Sequence, residues 1–115
     1  MAWTSHLGAM DNPLYDLELN AKSHLYFLTK IPKDYKGFII YLGSKGQYGN
    51  NKNEIDENSK SDPVDIQGIH KQAGESYYKV FAKNNNLNVT SIRFPNCFGP
   101  NQPVMKGDIG LVGNF

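Results

Sequence analysis

The chain has 115 residues, 39% hydrophobic and 20% charged, a length that allows one domain or part of one. Lys plus Arg total 12 against 11 Asp plus Glu, and this net charge of +1 leaves no electrostatic footprint for nucleic acid or an acidic membrane surface. Arg93 is the one arginine and Cys97 the one cysteine, which excludes an arginine-rich phosphate clamp, an internal disulfide and a cysteine-cluster zinc site.

In chain order, Met1 to Leu7 lack the basic start and apolar stretch of a signal peptide. Asp11-Asn12-Pro13 predicts a helix start, with Asn12 as cap and Pro13 at the first helical position. Leu14, Leu17, Ala21, Leu25 and Leu28 follow at helical spacing and predict a core stripe, ended by Pro32. Gly37 to Gly43, GFIIYLG, predicts a strand covered on both faces, as in a parallel sheet. Phe38 to Leu42 within it is the longest apolar run, too short to cross a bilayer, so the expectation is a soluble, cytoplasmic chain. Residues 44–61 carry no period and read as a long loop. Asp62-Pro63 predicts the next helix start, with Ile66, Ile69, Ala73, Tyr77 and Val80 as its core stripe and Gln67, Lys71, Gly74 and Tyr78 on another face. Asn84-Asn85-Asn86 ends that helix, and Asn88 to Phe94 predicts a second strand. The order α-β-α-β gives an α/β fold, part of a doubly wound parallel sheet.

Ligands of open parallel sheets bind beyond the carboxyl ends of the strands. Ser44 to Gly49 and Pro95 to Pro100 lie there, and Gln67 and Lys71 start the helix that leaves the same edge. Gly43, Gly46 and Gly49 imitate a dinucleotide fingerprint, but the residues after them form no apolar helical stripe, so they are rejected as a phosphate loop. His6, His24 and His70 show no metal spacing. Cys97 reads as a packed small apolar residue and Gly74 as a close-packing position.

Five blocks, taken together and in order, resemble the NAD-dependent epimerase/dehydratase family, the extended branch of the short-chain dehydrogenase/reductases. They are Asn12 to Asn20 (NPLYDLELN), Tyr41 to Gly49 (YLGSKGQYG), Asp56-Glu57, Gly68 to Glu75 (GIHKQAGE) and Arg93 to Pro100 (RFPNCFGP). The likeness spans residues 1–104. It implies a Rossmann-type, NAD(P)-binding fold and a soluble enzyme that oxidises a hydroxyl of a nucleotide sugar transiently, with NAD or NADP as cofactor. It also implies a catalytic trio of Ser or Thr, Tyr, and Lys four residues after the Tyr. Ser44 matches the serine, which orients the substrate oxygen, and Lys71 the lysine, which holds the cofactor ribose. Ala2, Asn20 and Pro95 match cofactor-side positions, and Asn96 a contact to the sugar nucleotide. A homodimer built on paired helices is a further implication.

Two departures qualify the resemblance. The tyrosine position holds Gln67, whose amide hydrogen-bonds but has no proton that titrates near neutrality, so it cannot serve as a general base. Tyr77 and Tyr78 stand two to three turns further along and His70 is about 100° round the helix from Lys71, so none is expected to take its place. The family's first βαβ unit, with its Gly-rich phosphate loop, and its C-terminal substrate portion have no counterpart in residues 1–115, which therefore read as one partial domain, the middle of a longer family member or a truncated gene. Weak or no NAD binding by this chain alone is expected. Three functional readings follow: part of a nucleotide-sugar epimerase or dehydratase, a catalytically impaired relative kept for binding or assembly, or a reading frame without function. No nucleic-acid or membrane partner is expected.

Overall fold

The computed structural model describes residues 2–51 and 54–100. The elements are α1 (His6–Asp11), α2 (Pro13–Leu17), a π turn (Glu18–Lys22), α3 (Ser23–Thr29), β1 (Phe38–Ser44), a 3-10 turn (Lys45–Tyr48), α4 (Ile66–Asn85) and β2 (Asn88–Phe94). The short α1 was not expected; its signal is Ser5, whose hydroxyl accepts from the Gly8 N–H at 2.9 Å. Asn12 ends α1 and caps α2, accepting from the Tyr15 N–H at 3.2 Å. The π turn joins α2 to α3 through residues of right-handed helical backbone, so the three form one rod.

β1 and β2 pair in parallel, in register from Phe38 opposite Asn88 to Ser44 opposite Phe94. The α/β class and the parallel pairing agree with the sequence. Coverage on both faces does not. Ile39, Tyr41 and Gly43 are buried, whereas Phe38, Ile40 and Leu42 are 62%, 53% and 55% exposed, because the described helices pack against one face only.

The second long helix starts one turn later than expected. Asp65, not Asp62, is its cap, accepting from the Gly68 N–H at 2.7 Å. Asp62 is taken up elsewhere: its N–H donates to the Gln47 carbonyl at 3.0 Å. Its own carbonyl lies so close to Gly49, which has φ 66°, that a Cβ there would meet the oxygen at 1.8 Å. That close crossing pulls residue 62 out of helical geometry. Asn86, in left-handed conformation, closes α4 as expected.

The apolar core consists of Leu28, Ile39, Tyr41, Tyr78 and Leu87, with Tyr77, Phe81 and Val89 packed against it. The leucine stripe of the first rod is only half in the core: Ala21 and Leu28 are buried, but Leu14 is 72% exposed. Asp16 and Asn20 are fully buried instead, drawn inward by hydrogen bonds to His70 and Trp3. On α4 the buried face is Gln67, Gly68, Lys71, Gly74, Glu75 and Tyr78; of the apolar stripe, Ile69 and Val80 turn outward, 47% and 55% exposed, while Tyr77 stays against the core. Burial on α4 follows the small Gly68 and Gly74, which let the helix approach the layer beneath, and the polar side chains that find partners there. Among the described residues no helix is long and apolar enough to cross a membrane.

Candidate functional site

At the carboxyl ends of β1 and β2 lies a cleft of about 1180 Å³. Ala2, Ser44, Gln67, Lys71, Pro95 and Asn96 all line it, so six of the seven positions singled out from the sequence meet at one opening. Asn20 does not line it; it is buried behind the wall. His24, Tyr41 and Tyr78 form part of the lining as well.

Lys71 comes from the second turn of α4 and is only 6% exposed. Its ammonium makes no hydrogen bond or ion pair among the described residues, although it borders the cleft. Burial lowers its pKa from the ordinary lysine value, against the opposing pull of the Asp16 carboxylate. The side chain is buried, but its ammonium is not among the sealed-off polar atoms and so reaches the open cleft, where a ligand oxygen would give it a partner.

Ser44 ends β1 and is tied from both sides. Its hydroxyl accepts from the Gly46 N–H at 3.1 Å, and its own N–H donates to Gln47 Oε1 at 2.8 Å. Fully buried Gln47 then donates from Nε2 to Glu75 Oε2 at 2.7 Å. Glu75 accepts two parallel bonds of 2.8 Å from Arg93 Nε and Nη2. Arg93 also stacks on the Tyr48 ring, 4.6 Å from its centroid. This relay joins β2, α4 and the 3-10 turn and sets where Ser44 stands. Gln47 and Glu75 were not picked out from the sequence, where a glutamine in a loop and a glutamate on a helix carry no mark of burial.

Gln67 opens α4 and is 3% exposed; its Nε2 donates to the Trp3 carbonyl at 3.1 Å. Asn20 grips the same peptide unit, donating from Nδ2 to Trp3 O at 2.9 Å and accepting from Trp3 N at 3.3 Å. Trp3 thus lies in no strand, and two amide side chains from two helices hold its backbone in place.

His24 stands at the floor of the cleft, edge-on to Tyr41 and Tyr78. Its Nδ1 is 3.2 Å from the Tyr78 hydroxyl, and its Nε2 is buried with no partner among the described residues. Burial first, then the Lys71 charge, lowers its pKa to about 4, so the ring is neutral at pH 7. Tyr78, set aside as too far along the helix, does reach the lining of the cleft; burial raises its pKa. Cys97 is exposed at the rim rather than packed, because the segment after β2 runs out over the open cleft. No cluster of three metal-ligating groups exists among the described residues. His6 and His70 are instead paired with Asp65 and Asp16 at 2.8 and 2.7 Å.

The model of the NAD dependent epimerase/dehydratase family matches residues 2–112. The chain belongs to this family. It is 28% identical over 110 residues to a Methanocaldococcus jannaschii protein named "Putative UDP-glucose 4-epimerase", covering 94% of this chain and 36% of that protein. Among solved structures it is similar to the UDP-glucose 4-epimerase of Thermotoga maritima with UDP-glucose, at 28% identity and a TM-score of 0.85, over 99% of this chain and 38% of that one. It shares the fold of a UDP-N-acetylglucosamine 4-epimerase from Methanobrevibacter ruminantium, with a TM-score of 0.88 and 24% identity, over 97% of this chain and 36% of that one. The two-stranded parallel sheet and its helices therefore belong to a Rossmann-type epimerase fold, of which this family member spans little more than a third of the length of these relatives.

Proposed function

We propose that this family member contributes the nicotinamide and sugar end of the active site in an NAD-dependent nucleotide-sugar epimerase or dehydratase. The observation that carries the reading is that Lys71, its stem buried and its ammonium without a protein partner among the described residues, lines one cleft with Ser44. A donor of that kind suits the hydroxyls of a ribose, and the Ser44 hydroxyl suits a sugar oxygen. These residues fit the nicotinamide-ribose half of the cofactor, with Ala2 and Pro95 bordering the same space and Asn96 on the sugar side. Bound there, a nicotinamide supplies hydride acceptance and return. Lys71 holds and orients the ribose by donation, Ser44 orients the reacting oxygen, and the relay through Gln47 and Glu75 keeps Ser44 from turning away.

A second reading is favoured by Gln67: a relative that binds the same ligands without turning them over. The sugar proton needs a group that gains and loses it, and an amide does neither near neutrality. The experiment that separates the two follows NADH and UDP-glucose binding by saturation-transfer NMR at millimolar ligand, together with turnover of UDP-glucose in the presence of NAD. Binding lost in Lys71→Ala supports the site. Turnover only after Gln67→Tyr selects the second reading, and no binding of either compound removes both.

A further inference from the structure

Gln67 is oriented by its neighbours, and the orientation has a chemical meaning. Asn20 makes three bonds that admit one arrangement of its amide: Oδ1 accepts from Trp3 N at 3.3 Å, and Nδ2 donates to Trp3 O at 2.9 Å and to Asp16 Oδ1 at 2.7 Å. Asp16 is fully buried, and its other oxygen meets His70 Nδ1 at 2.7 Å. His70 sits on α4 three residues after Gln67, so this network starts and ends on one helix. The Trp3 carbonyl has two lone pairs, and Asn20 Nδ2 and Gln67 Nε2 take both. Turning the Gln67 amide over would set its oxygen against the Trp3 oxygen with no proton between them. Its Nε2 is therefore committed to the wall. Its Oε1 has no partner among the described residues and is not among their sealed-off polar atoms, which leaves it at the cleft that Gln67 lines.

We propose that Gln67 is the cleft's fixed hydrogen-bond acceptor, oriented by Asp16, Asn20 and the Trp3 carbonyl to receive a ligand hydroxyl. This rests on the reading of the cleft as a site for a polyhydroxylated ligand. A tyrosine hydroxyl both donates and accepts, whereas this amide oxygen only accepts. The group in front of it must carry a proton, so the site takes an alcohol and disfavours a ketone or a phosphate oxygen at that point. The alcohol belongs to a ribose or to a hexose; the chemistry is shared, and the ligand decides between them. Gln67 binds in this scheme, and Asn20 and Asp16 act through it as positioning residues.

Two measurements on the full chain test this. In the free protein, the Gln67 side-chain amide protons should exchange with water far more slowly than those of an exposed glutamine, and Asn20→Ser should remove most of that protection. Exchange at the exposed rate in the wild type overturns the orientation without any ligand. Binding is then compared for NADH and UDP-glucose against analogues that each lack one ribose or hexose hydroxyl. Gln67→Leu should weaken the parent compound roughly 3- to 10-fold and make one deoxy analogue indistinguishable from it. The arm in which this happens names the ribose or the hexose. Equal losses for every analogue in wild type and variant overturn the acceptor role. Should Gln67→Leu fail to fold, Gln67→Met keeps the side-chain length without the oxygen. If neither probe binds the wild type at millimolar concentration, the functional reading falls and takes the ligand role of Gln67 with it, and amide exchange still decides the orientation.

Discussion

The Arg93 guanidinium grips the Glu75 carboxylate with two parallel hydrogen bonds of 2.8 Å, joining β2 to the middle of α4. Through Gln47 the same carboxylate reaches the backbone of Ser44, so the one arginine of the chain supports the cleft without lining it. Glu75→Ala would leave a largely buried guanidinium unpaired and is expected to cost about 3 kcal/mol of stability. Urea unfolding checks this; a loss below about 1 kcal/mol would mean that solvent already serves Arg93.

Lys71 is expected to show the opposite sign. Its stem is buried, no carboxylate is hydrogen-bonded to its ammonium among the described residues, and burial already lowers its pKa, so Lys71→Met removes a disfavoured charge and keeps the stem. Stability should hold or rise by about 1 kcal/mol, while the binding of NADH falls. A variant clearly less stable than the wild type would show that the ammonium is satisfied in the folded chain.

Stability should fall with acid over two pH windows. His24, lowered to about 4 by burial and then by Lys71, refuses a proton that the unfolded chain takes up near pH 6.5. The unfolded state thus binds more protons between about pH 6.5 and 4, and stability falls as pH falls through that window. Burial raises the Glu75 pKa, but hydrogen bonds from Arg93, Lys79 and Gln47 outweigh it and bring the value to about 2. Its contribution is present above pH 4.5 and is lost as pH falls toward 2. Denaturant midpoints measured from pH 8 to 3 should decline along both limbs, with the upper limb flattened in His24→Phe. A midpoint constant from pH 7 to 5 would contradict the account of His24.

Gly74 marks the closest approach of α4 to the layer beneath it. A Cβ there would lie 2.5 Å from the Tyr41 hydroxyl and 3.1 Å from the Asn20 carbonyl. The Tyr41 hydroxyl is held in place by its 2.8 Å bond to the Lys71 carbonyl, and the Asn20 oxygen is backbone. Gly74→Ala should therefore destabilise by about 1 to 3 kcal/mol, although alanine is the better helix former by about 1 kcal/mol. Thermal melts decide it; a raised Tm would show that the helix can shift outward freely.

Much of this protein was legible as a string of residues. Asn12-Pro13 capped the rod, GFIIYLG and NVTSIRF became parallel strands, and Ser44 and Lys71 came to one cleft, because caps, β-branched runs and chain order act locally or through simple topology. Which face of each helix points inward was another matter. Periodicity marked Leu14, Ile69 and Val80 as core, yet they are exposed, while Asp16, Asn20, Lys71 and Glu75 are buried. A side chain's hydropathy says nothing about the partner it will meet from another segment of the chain. His70, Trp3, Gln47 and Arg93 became those partners only when α4, the first rod and β2 packed together, and that packing alone turned a polar helical face into the wall of the cleft.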